Sequence, residues 1–161
     1  MDTKDIDRKI AVIFATDAVG YSKHMEKDEN QTIQSFETCN EILEKLLKKY
    51  GGSVFNTAGD SVLAEFPSAV AAVECGSDFQ KEIKKRNASI DTSVKLEFRI
   101  GINMGDVVKK SGNLLGDGVN IAARLEALSQ SNGISISKSV FDLVSNKTNL
   151  SFNDLGVQKV K

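Results

Sequence analysis

The chain has 161 residues, of which 40% are hydrophobic and 27% charged. This is the composition of one ordinary globular domain, and it excludes an intrinsically disordered segment. Its 21 Lys and Arg nearly balance its 22 Asp and Glu, so no charge excess indicates a nucleic-acid partner. The longest apolar run, residues 10–15, is too short to span a bilayer, and we expect no direct membrane contact. The two cysteines lack a metal or redox spacing and no secretory signal is visible, which favours a cytoplasmic location.

The first half of the chain predicts the order strand, helix, strand, strand, helix. Residues 9–16 are apolar and rich in β-branched side chains, a pattern typical of a strand buried on both faces. The helix after it begins at a polar cap, Asp28, carries an apolar stripe that starts at Ile33, and ends at residues 51–52, which are both glycine. The remaining elements are strands over residues 53–57 and 61–66, joined by a tight turn, and a second amphipathic helix that begins at residues 67–68.

The second half begins with a strand over residues 95–103, where apolar and charged side chains alternate. Leu96, Phe98 and Ile100 share one face and Lys95, Glu97 and Arg99 the other, which predicts a half-exposed strand of an antiparallel sheet. The later elements are a turn at residues 111–113, a helix over about 118–128, a strand near 134–137, a short helix from 138 and a strand near 150–152. The order β-α-β-β-α-β with C-terminal α/β additions predicts an α+β, ferredoxin-like fold. We interpret residues 1–161 as one domain that has been cut from a longer protein.

Two aspartates lie where predicted strands end or turn. Asp17 directly follows the buried strand and precedes a Gly-containing segment, residues 18–22, whereas Asp60 lies in the predicted hairpin. Carboxylates beside a turn whose backbone amides can point at one ligand suit a site for a metal and a triphosphate. The alternative is ordinary turn chemistry, because aspartate is common at both kinds of position.

A third motif places an amide and a guanidinium on one helix face. Asn120 and Arg124 are four residues apart in the predicted helix, so both project in the same direction. Arginine offers a fixed fork for phosphate oxygens, and asparagine can orient a ribose or a reacting oxygen. The alternative is a surface asparagine and an arginine paired with Glu126. The residues expected to pack this helix against the core are Val119, Ala123 and Leu125.

Other catalytic patterns are missing from the sequence. It contains no P-loop motif, and its one histidine, His24, lies in a polar stretch that does not favour a catalytic base. Residues 51–55, Gly-Gly-Ser-Val-Phe, lack both acidic positions of the hairpin found in diguanylate cyclases. The two aspartates and the third motif therefore remain the candidates for chemistry.

Four blocks of the sequence resemble the signature blocks of class III nucleotide cyclases, in the order and spacing of that family. The blocks are residues 14–22 (FATDAVGYS), 57–61 (TAGDS), 99–107 (RIGINMGDV) and 116–126 (GDGVNIAARLE). The chain is most similar in these blocks to the catalytic domains of bacterial adenylate cyclases.

This resemblance implies an enzyme that converts ATP into 3′,5′-cyclic AMP and pyrophosphate at the interface of a head-to-tail homodimer. Asp17 and Asp60 would hold two Mg²⁺ or Mn²⁺ ions, with the backbone carbonyl of Ala18 as a further ligand. The partner subunit would supply Asn120 to the ribose and Arg124 to the α-phosphate. The groups implied for the triphosphate are the backbone amides of Val19, Gly20, Tyr21 and Ser22 and the side chain of Lys161.

The two positions that read the purine depart from the family pattern. Adenylate cyclases commonly have Lys with Asp or Thr there and guanylate cyclases Glu with a small residue, whereas this chain has Asn56 and Asn113. An amide can flip and match either adenine or guanine, which predicts weak selectivity between ATP and GTP, or low activity. Two alternatives to an adenylate cyclase therefore stay open: a degenerate cyclase-like module for dimerisation or nucleotide sensing, and a guanylate or low-selectivity purine nucleotide cyclase.

Overall fold

Strands and helices alternate along the chain much as predicted. The structure is a computed structural model, and it describes residues 6–91 and 94–153. The elements in chain order are β1 (Ile6–Ala18), α1 (Tyr21–Lys27), α2 (Glu29–Tyr50), β2 (Ser53–Ala58), β3 (Ser61–Phe66), α3 (Ala69–Ser89), β4 (Phe98–Lys110), β5 (Asn113–Leu115), α4 (Asp117–Leu128), β6 (Ile134–Ile136) and α5 (Lys138–Val144).

The strands form one mixed sheet in the order β2-β3-β1-β4-β5. Neighbours along this path are antiparallel, and β6 adds to β4 in the parallel direction. The central order β2-β3-β1-β4 follows from the β-α-β-β-α-β arrangement, so the predicted ferredoxin-like fold is confirmed. The C-terminal additions β5, α4, β6 and α5 extend this core.

Strand β1 is the centre of the molecule and is covered on both faces, as its apolar run predicts. Val12 and Phe14 point into a core that α2 and α3 close. Ile13 and Ala15 point the other way, into a smaller core formed with Ala122 of α4. Residues 17 and 18 at the end of this strand are therefore carried on a rigid, doubly buried support.

Helix α2 begins and ends as predicted, but its buried face differs from the prediction. The Asp28 side chain accepts a hydrogen bond from the Gln31 amide at the start of α2, and Gly51 ends the helix with φ +80°. Within α2 the buried face contains Thr32 and Ser35, whereas Ile33 is 39% exposed. The start of the predicted apolar stripe was therefore wrong, although Leu43 and Leu47, farther along the helix, are buried.

Strand β4 differs most from its prediction. It begins at Phe98 and continues to Lys110, and its second face is not exposed, because Gly101 and Asn103 are buried beneath α4. A Cβ atom on Gly101 would lie 2.2 Å from the amide nitrogen of Glu126. Glycine at this position therefore allows α4 to lie directly on the sheet.

The structure also corrects the C-terminal prediction. Residues 150–152 were predicted as a strand, but they have no regular structure. Leu150 and Phe152 instead pack as side chains against the α2/α3 core. Across the described ranges, none of the helices has the length and apolar character needed to cross a membrane.

Candidate active site

Asp17 and Asp60 meet at one end of the sheet. β1 pairs with β3 in a register that sets Thr16 opposite Val62, so the β2–β3 turn lies beside the end of β1. The Asp60 Oδ2 atom accepts a hydrogen bond of 3.0 Å from the backbone amide of Ala18. Two carboxylates distant in sequence are thus brought together by backbone pairing.

Arg99 faces the Asp17 carboxylate, a contact that the sequence did not predict. The two residues are register partners across β1 and β4. The guanidinium donates from Nε to Oδ1 at 3.2 Å and from Nη2 to Oδ2 at 2.9 Å. This is the two-pronged geometry in which arginine binds carboxylates most strongly. Arg99 was assigned to a solvent-facing row, and the register that places it here is not readable from local sequence.

Glu126 is the third carboxylate of this cluster, and it reaches the cluster from α4. Its Oε2 atom lies 3.7 Å from Arg99 Nη2, and the residue is only 7% exposed. Burial, the hydrogen bond to Asp17 and the charge of Asp17 together raise the pKa of Glu126 to about 8, although the charge of Arg99 lowers it. The alternative prediction that Glu126 pairs with Arg124 was therefore wrong.

The segment after Asp17 is partly occupied by hydrogen bonds of the protein itself. The amide of Val19 donates to the Glu97 carbonyl at 2.7 Å, so it is already used. Gly20 adopts φ +62° and precedes the short helix α1, which lacks a side-chain cap. In residues 6–91 and 94–153, no hydrogen bond engages the amides of Gly20, Tyr21 and Ser22, which leaves those three amides for a ligand.

Asn120 and Arg124 lie on the exposed face of α4. The buried face of that helix consists of Gly118, Val119, Ala122 and Glu126. The predicted packing residue Val119 is thus confirmed, whereas Ala123 is exposed and Leu125 only half-buried. At 3.6 residues per turn, Arg124 points about 160° away from Glu126. Asn120 and Arg124 therefore face away from the Asp17 of their own subunit.

The predicted purine-reading residues lie on two different strands. Asn56 is exposed on β2, next to a β-bulge. Asn113 is half-buried on β5, and its Oδ1 atom accepts a hydrogen bond of 2.9 Å from the Leu114 amide. That bond fixes the orientation of the Asn113 amide and leaves its NH₂ group as the free donor. Lys161, predicted to bind the triphosphate, lies outside the described residues.

Comparison with known proteins decides the family. A family model described as the adenylate and guanylate cyclase catalytic domain matches residues 3–161. The chain belongs to this family. The predicted resemblance to class III nucleotide cyclases is thereby confirmed, and with it the predicted family of enzymes.

Individual relatives of this cyclase domain agree with the family match. Putative adenylate cyclase 3 of Rhizobium meliloti (strain 1021) is 41% identical over 162 residues, which cover 100% of this chain and 28% of that protein. The chain thus spans little more than a quarter of the length of that relative. The structure of an adenylate/guanylate cyclase/hydrolase from Silicibacter pomeroyi is similar with a TM-score of 0.90 at 36% identity, over 97% of this chain and 91% of that one. The adenylyl cyclase CyaB from P. aeruginosa is similar with a TM-score of 0.75 at 28% identity, over 88% and 83% of the two chains.

The donor set of the cyclase domain fits divalent metal ions. Mg²⁺ prefers oxygen ligands and is usually held by one or two carboxylates, with water and substrate phosphates completing its shell. Asp17 and Asp60 would supply the carboxylates, and Asp60 keeps one oxygen, Oδ1, that no hydrogen bond within the described residues engages. Among the described residues, no group of three or more His, Cys, Asp or Glu side chains has a metal-binding arrangement, so the substrate would supply the remaining ligands.

Proposed function

We propose that the chain is the catalytic domain of an adenylate cyclase, which converts ATP into 3′,5′-cyclic AMP and pyrophosphate at a homodimer interface. The observation that carries the proposal is the convergence of Asp17 and Asp60 beside the unengaged amides of residues 20–22. Carboxylates for a metal and amides for a triphosphate are the parts that phosphoryl transfer requires. The names of the Rhizobium meliloti and P. aeruginosa relatives support ATP as the substrate.

The homodimer is proposed because one subunit does not complete the site. The inner side of α4 carries Glu126 and faces Asp17 of β1, whereas Asn120 and Arg124 are exposed on the outer side of the helix. A second copy, packed so that its α4 outer face covers the Asp17 end of the first, would bring the two sets together. A two-fold arrangement of this kind gives two equivalent sites.

Each residue then has a defined role in the reaction. When bound, the two metal ions would activate the ribose 3′-hydroxyl and neutralise charge on the triphosphate. Asn120 of the partner subunit would orient the ribose so that the 3′-oxygen faces the α-phosphorus. As that oxygen bonds to phosphorus and pyrophosphate leaves, the partner's Arg124 would stabilise the charge on the α-phosphate. An arginine in such a role contributes roughly 10³–10⁵ to the rate in other phosphoryl-transfer enzymes.

Selectivity for the purine is proposed to be weak. Asn113 presents its NH₂ group because Leu114 holds its oxygen, and an NH₂ donor can bond either to a ring nitrogen of adenine or to guanine O6. Asn56 is exposed and free to flip. Neither residue carries a charge that would reject the other base, so GTP is expected to be a substrate as well.

The test is an assay of the purified chain with Mn²⁺ and either ATP or GTP, in which the products are separated by chromatography. The Asp60→Ala variant should abolish turnover, because it removes a proposed metal ligand. Asp106→Ala is the matched control, because Asp106 is an exposed aspartate whose ion pair is with Arg8. Product from the parent and the control but not from Asp60→Ala supports the proposal. Binding of ATP without product would favour the nucleotide-sensing alternative, and product from GTP alone would favour a guanylate cyclase.

A further inference from the structure

Arg99 competes for the same oxygens that the proposed metal site requires. Both oxygens of Asp17 accept hydrogen bonds from the Arg99 guanidinium, at 3.2 and 2.9 Å. The ion pair is well shielded, with side-chain exposures of 30% for Arg99 and 19% for Asp17. Each of these oxygens keeps a second lone pair for a metal ion, but a divalent cation and a guanidinium repel each other at this short range. The Arg99 guanidinium therefore opposes metal binding at Asp17 unless it moves away.

Glu126 offers Arg99 a second carboxyl group at short range. Its Oε2 atom is 3.7 Å from Arg99 Nη2, the nitrogen that also binds Asp17. The side chain of Glu126 is 10% exposed, and the close packing of α4 on Gly101 fixes the position of its backbone. A shift of about 1 Å by the guanidinium would therefore convert this contact into a direct hydrogen bond.

We infer that Arg99 is a positioning residue that occupies Asp17 in the metal-free protein and transfers to Glu126 when a divalent cation binds Asp17. This inference rests on the proposed function, because it takes Asp17 and Asp60 as metal ligands. Arg99 keeps Asp17 in one orientation in the empty site, and Glu126 lowers the cost of releasing it. A merely structural ion pair that ties β1 to β4 would stabilise the fold and leave metal affinity unchanged.

The experiment measures Mn²⁺ binding to the purified chain by electron paramagnetic resonance of the free ion, without nucleotide. Arg99→Gln removes the competitor, so Mn²⁺ should bind about tenfold more tightly. Glu126→Leu removes the alternative partner, because leucine has no oxygen that can accept a hydrogen bond from Arg99, so Mn²⁺ should bind several-fold more weakly. Arg99→Lys should give an intermediate affinity, because lysine keeps the charge but lacks the fork. The matched control is Arg8→Gln, since Arg8 also pairs with an aspartate across β1 and β4 but is exposed, and its affinity should equal that of the parent.

The double variant separates a transfer of Arg99 from an effect of Glu126 that does not involve Arg99. If Glu126 acts by receiving Arg99, Glu126→Leu should have no effect in the Arg99→Gln background. An equal weakening in both backgrounds would show that Glu126 acts independently of Arg99, and it would overturn the inference. If Asp60→Ala abolishes Mn²⁺ binding but Arg99→Gln binds Mn²⁺ with the same affinity as the parent, the inference is overturned and the proposed function is not. Absence of Mn²⁺ binding in every variant, both without nucleotide and with a non-hydrolysable ATP analogue, would overturn the metal assignment of the proposed function as well.

Discussion

Replacement of Glu126 by glutamine should change how the stability of the domain depends on pH. The carboxyl of Glu126 is buried beside Asp17, which raises its pKa from 4.5 to about 8. Between these two values the folded protein holds a proton that the unfolded chain has lost. The contribution of Glu126 to the free energy of unfolding is therefore greatest at and below about pH 4.5, and it falls as the pH rises toward 8.

The size of the effect follows from the same pKa. One pKa unit corresponds to about 1.4 kcal/mol, so the contribution of Glu126 falls by at most about 4 kcal/mol between pH 5 and pH 8. Water and the Arg99 guanidinium relax around the charge as it forms, and we expect about 1–2 kcal/mol in practice. Glutamine has nearly the shape of the protonated carboxyl and does not ionise. The variant should therefore gain stability over the parent as the pH increases.

The assay is urea unfolding followed by circular dichroism at pH 5, 6, 7 and 8, in the presence of a metal chelator. The control is Glu65→Gln, which removes a carboxylate on the same sheet that is paired with Lys9 at 2.8 Å. The difference in free energy of unfolding between Glu126→Gln and the parent should grow by about 1–2 kcal/mol over this range, whereas the control should show no such growth. Parallel pH profiles for Glu126→Gln and the parent would refute the assignment of a raised pKa to Glu126.

Two further predictions concern the dimer and the sheet. Mixing equal amounts of the inactive variants Asp60→Ala and Arg124→Ala should restore turnover to about a quarter of the parent value, because about half of the dimers are heterodimers and each of these has one intact site of two. No restoration over a range of protein concentrations would count against shared sites. Gly101→Ala should destabilise the domain by about 3 kcal/mol or more, because the new Cβ would meet backbone atoms of α4 at 2.2 and 2.4 Å. The comparison is Gly76→Ala, where the nearest atom is the end of the Ile134 side chain at 3.2 Å, and equal melting temperatures for the two variants would contradict the close-packing argument.

The fold was predictable where local pattern and burial agree. The apolar run of β1, the Asp28 cap and the Gly51 stop each carry their own physical signal, and the structure confirms them. The order of the strands followed from the order of the elements, because few topologies accommodate it. Asp17 and Asp60 could be predicted to meet for the same reason.

The rest of the site depends on contacts between distant segments. The pairing of Arg99 with Asp17 is set by the register of two long strands, and no local pattern reports that register. Alternation made the second face of β4 look exposed, but α4 covers it. The available signal was the glycine at position 101, since a strand interior without a side chain often marks the close approach of another backbone. With that signal, Glu126 could have been assigned to the sheet side of α4.

Helix α4 belongs to two active sites at once in the proposed dimer. Its inner face places Glu126 beside the Asp17 of its own subunit, and its outer face carries Arg124 toward the site of the partner subunit. If this helix of 12 residues tilts as one body, a tilt that adjusts Glu126 in one site would also displace Arg124 in the other. Occupancy of the first site would then be coupled to affinity at the second, and the coupling would be reciprocal. A cooperative response to nucleotide would in that case arise from one shared helix.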